Sequence, residues 1–177
     1  MSESRIITPR SAGSGDDDQY KEKVIEIRRV TKVVKGGKRM GFRAVVIIGD
    51  QISQVGLGVG KAAEVSAGIR KGVEAAKREL ITVPQISGTI PHEIVGKFGA
   101  CHVVLRPAPK GTGVIAGGAV RTILELCGLK NVVAKSIGSP NAINVARATL
   151  AALGALKIKA QEEMFRGKEL KVHYVET

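Results

Sequence analysis

The sequence predicts an α+β chain of two small domains. Three observations carry that reading. Runs of β-branched residues separated by glycine turns precede a single amphipathic helix. A proline-bracketed connector then interrupts the chain near its middle. A second set of shorter strands and helices follows it. With 177 residues and 44% hydrophobic content, two small cores are affordable.

Residues 1–19 are Ser, Gly and Asp without periodicity and read as a disordered tail. Residues 23–34 are rich in Val, Ile and Thr, interrupted by charge, and suit a strand. Gly36-Gly37 breaks that run as a hairpin turn does. Residues 42–48 form a nearly continuous apolar second strand, and Gly49-Asp50 turns the chain into a glycine-rich third strand at 54–59. Residues 61–80 read as a helix. Val65, Ile69, Val73, Ala76 and Leu80 share one face, while Arg70, Lys71, Lys77 and Arg78 lie off it. The first domain thus spans 20–84, a three-stranded antiparallel sheet plus helix.

Pro84 and Pro91 bracket Ser87-Gly88, which sets a linker at 85–92. Beyond it, strands are expected at 93–97 and 100–106, around Phe98-Gly99. A loop starting at Pro107, a helix at 117–127 ended by Gly128, a strand at 131–135 and a helix at 141–156 behind Pro140 complete a second domain over 93–156. Residues 157–177 read as a mixed-charge tail.

Charge narrows the function. The formal net charge is +12. Residues 20–83 hold 14 basic and 6 acidic groups, residues 84–156 hold 7 and 2, and residues 1–19 are net acidic. A chain this basic meets a polyanion, and the first domain carries most of the field. No apolar run reaches the roughly 18 residues of a membrane span, and the acidic N-terminus suits neither a signal nor a transit peptide. The expected compartment is the cytoplasm. Aromatic residues make up only 3% of the chain, and there is no tryptophan, so recognition by shape and phosphate is expected over base stacking. The densest candidate is the hairpin tip, with Lys32, Lys35, Gly36, Gly37, Lys38 and Arg39. Arg28, Arg29 and Arg43 on the strands, Lys61 at the start of the helix, and the basic helix residues Arg70, Lys71, Lys77 and Arg78 join it. In the second domain Lys110, Lys135 and Arg147 add phosphate contacts.

Two glycine segments imitate nucleotide loops. Gly56-Leu-Gly-Val-Gly-Lys61 lacks the first Gly and the Ser or Thr of a phosphate loop, because Val55 and Ala62 hold those places. It reads instead as a strand that another backbone approaches. Gly111-Thr-Gly-Val-Ile-Ala116 fits a dinucleotide fingerprint, but the next strand ends in Lys135-Ser136 with no acid. No cofactor and no metal are expected. Cys101 and Cys127 form no C-x-x-C pair and read as packed thiols. His92, His102 and His173 lie near no nucleophile, so no enzyme is expected. Two rival readings stand beside this one: an enzyme using the 111–116 loop, and a free double-stranded-RNA-binding regulator.

The strand-strand-strand-helix order matches the core of a double-stranded-RNA-binding module without its leading helix. Five stretches carry a closer likeness: residues 28–38, 54–62, 111–121, 131–136 and 138–148. Running in order over about 20–150, they resemble the bacterial-type family of the fifth protein of the small ribosomal subunit. The resemblance implies a double-stranded-RNA-binding-like first domain and a β-α-β-α second domain with a left-handed crossover. It implies a structural role on ribosomal RNA at the joint of head and body, facing the messenger RNA path and influencing decoding accuracy. The hairpin loop is implied to lie near the spectinomycin site. The second domain is implied to contact ribosomal proteins four and eight, the contact with protein four falling on Gly113 and Arg121. Gly111, Gly113, Gly117 and Gly118 leave a partner room there. Neither a membrane nor a second copy of the chain is an expected partner.

Overall fold

A computed structural model describes residues 20–169, so the tail expected at 1–19 and residues 170–177 lie outside the described residues. Sheet one is antiparallel and ordered β1-β2-β3-β4, from β1 (Lys21–Val34), β2 (Gly37–Gly49), β3 (Gln54–Ala62) and β4 (Leu80–Thr82), with α1 (Val65–Arg78) between the last two strands. Sheet two is ordered β5-β6-β8-β7, from β5 (Ile94–Phe98), β6 (Cys101–Pro107), β7 (Val114–Ile115) and β8 (Val132–Gly138). The helices α2 (Gly118–Leu126) and α3 (Ala142–Gly154) accompany it, and α4 (Lys159–Arg166) follows. β7 and β8 are parallel, with α2 as their crossover; the other pairs of sheet two are antiparallel.

Four expectations are corrected. Sheet one has four strands, not three. Leu80 sits at helical spacing, but residues 80–82 leave the helix and pair with Gly56, Val55 and Gln54. β3 runs on to Ala62, so α1 starts later than residue 61. The loop after Pro107 holds the short strand β7. The segment read as a mixed-charge tail contains α4, because its charges are spaced as helical pairs. Lys159 meets Glu163 at 3.4 Å and Arg166 meets Glu162 at 2.9 Å, both four residues apart, and Gly167 closes the helix in the left-handed region.

The line of α1 buried deepest is Gly68, Gly72 and Ala76, while Val65, Ile69 and Val73 flank it half-buried. Facing that line are Gly56, Gly58 and Gly60 of β3. A Cβ at Gly58 would overlap the carbonyl oxygen of Gly72, and one at Gly60 that of Gly68. Helix and strand therefore touch backbone to backbone, as expected for the 56–61 segment.

Alternation along the strands gives sheet one two buried faces. Ala44, Val46 and Ile48 point to α1, whereas Val45, Ile47, Val55 and Leu57 point to the second half. There they join Val103 and Leu105 of β6, Ile123 and Leu124 of α2, and Leu153 of α3 in one continuous core. The residues between the sheets are tied into this seam. Val83 and Ile90 are buried. The Gln85 amide donates to the carbonyls of Ile52 and Cys127 at 2.8 and 2.7 Å. The turn after β2 is locked by the Asp50 carboxylate, which accepts from the N–H groups of Ile52, Ser53 and Gln54 at 2.8 Å each. From that turn the Gln51 N–H donates to the Leu126 carbonyl at the end of α2, at 2.9 Å. Both cysteines are buried apolar fillers, as expected. Burial pushes the Cys127 thiol up to about 12, and the Asp50 charge adds to this.

Candidate nucleic-acid interface

β2 pairs with β3 only from Phe42 to Gly49, whereas β1 and β2 stay paired out to Val34 and Gly37. Residues 30–41 therefore form a two-stranded arm beyond the sheet, tipped by Lys35 and by Gly36 at φ +92°. Register decides which side chains share a face. Lys32 lies opposite Arg39, and Arg28 opposite Arg43, which in turn lies opposite Lys61. Since alternate residues share a side, these five cations form one stripe along the arm and onto the sheet. The stripe is the outward continuation of the face that carries Val45 and Ile47.

Between Glu26 and Asp50 the chain has seven cations and no acid. Glu26 itself binds the Arg28 guanidinium at 2.7 Å. Like charges directly opposite one another across strands repel. The row Arg28–Arg43–Lys61 is thus unfavourable; Glu26 relieves it at the Arg28 end, and an anion lying over Arg43 and Lys61 would relieve the rest. Within that row Arg43 is half-buried, and its Nε has no hydrogen-bond partner.

The other cations expected in the first half do not join this stripe. Arg70, Lys71 and Arg78 are exposed on α1, and Lys77 is half-buried on it. α1 covers the opposite face of sheet one, and Arg29, paired with Phe42, points to that same side. The helix cations are therefore a separate surface. Sequence periodicity separated them from the apolar stripe but could not tell which side of the sheet the helix would take.

In the second half Lys110 is exposed on its loop. Arg147 projects from α3, its guanidinium 5.2 Å from the Phe98 ring centre. The glycine loop is closed from within. Buried Asn131 accepts through its Oδ1 from the N–H groups of Gly111 and Gly113, at 3.1 and 3.2 Å. Donors a dinucleotide phosphate would need there are already used. Gly117 and Gly118 differ from the other close-packed glycines. A Cβ on either would meet nothing within 4 Å, and neither has a left-handed φ. Nothing among the described residues requires glycine at these two positions. Arg121, one turn on, is exposed and held by Glu125 at 2.7 Å, and Lys23 of β1 reaches the same carboxylate at 3.5 Å. The hydrogen bond from Arg121 leads in holding Glu125 below the usual carboxylate range.

One surface was not anticipated. α2 and α3 cover only the side of sheet two that carries Val103 and Leu105. Its other side presents Val95, Val104, Val133, Ile137 and Ile115 among Lys97, His102, Arg106 and Lys135. Val95, Ile137 and Ile115 are each more than half exposed. Valines and isoleucines fall on both alternation classes of β6 and β8, which hides the bare side from a sequence reading.

A cleft of 720 Å³ lies between the halves, lined by Leu57, Val59, Leu80, Phe98 and Leu150 with Glu79 and Arg147 as its charged groups. Among the described residues no group of three or more His, Cys, Asp or Glu could hold a metal, and no helix is long and apolar enough to cross a membrane. His92 has a structural role: its Nδ1 contacts the Glu93 carbonyl at 2.8 Å, and its Nε2 accepts from the Lys157 N–H at 3.0 Å.

Comparison with known proteins bears on the family of the chain. The family described as ribosomal protein S5, N-terminal domain, matches residues 20–84, and the one described as ribosomal protein S5, C-terminal domain, matches residues 96–165. Small ribosomal subunit protein uS5 of Acaryochloris marina is 52% identical over 162 residues, covering 91% of this chain and 92% of the relative. That of Thermotoga petrophila is 50% identical over 159 residues, covering 85% and 89%. That of Thermosynechococcus vestitus is 56% identical over 142 residues, covering 80% and 82%.

Proposed function

Because the chain belongs to the ribosomal protein S5 family, it is a non-enzymatic constituent of the small ribosomal subunit that binds its RNA, and we propose that it does so as a rigid strut. The observation that carries this reading is the stripe Lys32–Arg39–Arg28–Arg43–Lys61, five cations on one face with a single carboxylate, Glu26, beside them, which favours an overlying polyanion. The arm extends that stripe away from the sheet, and Lys35 and Lys38 at its tip add phosphate contacts. The α1 cations and Arg29, on the far side of the sheet, meet a second RNA segment.

The second half supplies the protein contacts. Gly117, Gly118 and the exposed side of Arg121 form one approach surface, assigned to ribosomal protein four. The bare side of sheet two forms another, assigned to ribosomal protein eight, with Lys135 at the RNA margin. The continuous core makes both halves move as one. A body of this kind steadies the head of the small subunit against its body, beside the messenger RNA path, and so bears on decoding accuracy.

Sedimentation tests the assignment. The tagged chain is expected to travel with small subunits in equal number at low magnesium. A free RNA-binding regulator would stay at the top of the gradient. Calorimetry with nucleotides checks the enzyme alternative, and saturable tight binding would support it against the strut.

A further inference from the structure

The arm has a second face, which the phosphate stripe leaves unexplained. Alternation puts Thr31, Val33, Lys38 and Met40 together on it, opposite in sense to Lys32 and Arg39. Val33 is 74% exposed and Met40 63%. They lie on neighbouring strands in diagonal register, since Val33 pairs with Lys38 and Thr31 with Met40. Diagonal partners of this kind sit within reach of each other. The result is a small apolar pad, left exposed by the described residues, on a ribbon only two strands wide.

Resting on the RNA-binding reading above, we propose that this pad holds an unpaired nucleobase of the ribosomal RNA. Charge selects the occupant. Arg29 and Lys38 share the pad's face, Lys35 lies at the tip, and Lys32 and Arg39 are on the other face of the same thin ribbon, with no acid between Glu26 and Asp50, so the field around the pad favours a polyanion. Phosphates are met by the lysines and gain nothing from a valine or a thioether. The part of RNA that complements methyl groups and a polarisable sulfur is the flat face of a base. In a helix that face is covered by its neighbours, so the base must come from a loop, bulge or junction. The pad has no aromatic residue, so the base lies against aliphatic atoms instead of stacking on a ring. One face of the arm then follows the backbone while the other fixes its position along the strand.

The test uses the full chain and protein-free small-subunit RNA, with affinity measured across a salt series. Val33→Ser with Met40→Ser is expected to weaken binding by about tenfold while leaving the salt slope unchanged, because no counterions are involved. Val33→Leu with Met40→Leu is expected to restore it. Chemical probing is expected to show one unpaired base that the wild type protects and the serine variant does not. An affinity within about twofold of wild type, with no base changing, overturns the proposal. So does a variant that binds RNA normally but enters subunits poorly, which assigns the pad to a protein neighbour. If the wild-type chain itself fails to bind the RNA, the strut reading falls along with this one.

Discussion

Sheet one is covered twice, by α1 on the side of Ala44, Val46 and Ile48 and by the second half on the side of Val45 and Ile47. Sheet two is covered once, by α2 and α3, and keeps Val95, Ile115 and Ile137 in solvent. The two sheets therefore offer partners different things. On sheet one, both covers stop before the strands do, and what emerges is a cationic arm. On sheet two the cover is missing from a whole side, and what emerges is an aliphatic surface with a basic rim. Long-range attraction comes from the first, and contact area from the second.

Four experiments test that contrast. The doubly covered sheet has least room, so Gly58→Val should be the most damaging. A side chain there meets the Gly72 carbonyl, and a loss of about 3 kcal/mol or more is expected in urea unfolding.

The seam between the sheets responds to pH through Cys127. Its folded pKa is about 12 against an ordinary 9.0. The unfolded thiol ionises first as pH rises, so this contribution is whole below about pH 9 and is lost towards pH 12. The loss reaches roughly 4 kcal/mol. Comparing unfolding of wild type and Cys127→Ala across that range isolates it, and parallel curves would contradict the assignment.

Lys35→Ala with Lys38→Ala should leave stability within about 0.5 kcal/mol but lower the salt slope of RNA binding by about 2. An unchanged slope would remove the arm tip from the phosphate contacts. Val95→Glu with Ile137→Glu, on the singly covered sheet, should change neither stability nor RNA affinity by more than about 0.5 kcal/mol. Its expected effect is confined to co-sedimentation with small subunits. A large loss of fold stability would show that the bare side is not solvent-exposed.

The order of elements, the hairpin and the backbone approach at 56–60 were legible because they rest on local patterns: β-branched runs, turn glycines, and a loop motif missing its required residues. What was not legible depends on register and cover. Arg28, Arg43 and Lys61 are far apart in the chain and meet only through two strand pairings. The basic helix residues look like part of the same patch until α1 is placed across the sheet from it. β4 was lost because Leu80 satisfies helical spacing and strand pairing equally. α4 was lost because alternating charges over 157–168 resemble a solvated tail unless their four-residue spacing is weighed. The closure of the 111–116 loop by Asn131 needs a residue eighteen or more positions away, and its sequence neighbours give no sign of it.

The continuous core has a consequence for how the protein is made. Val45, Ile47, Val55 and Leu57 leave the synthesising ribosome well before α2 and α3, the helices that close over them. Until residues near Leu153 and Leu156 have emerged, the nascent first sheet carries an aliphatic side that none of the described residues of its own half covers. Completion of the fold is therefore postponed almost to the end of translation. A chain cut at the proline connector would release two sticky fragments instead of two working domains.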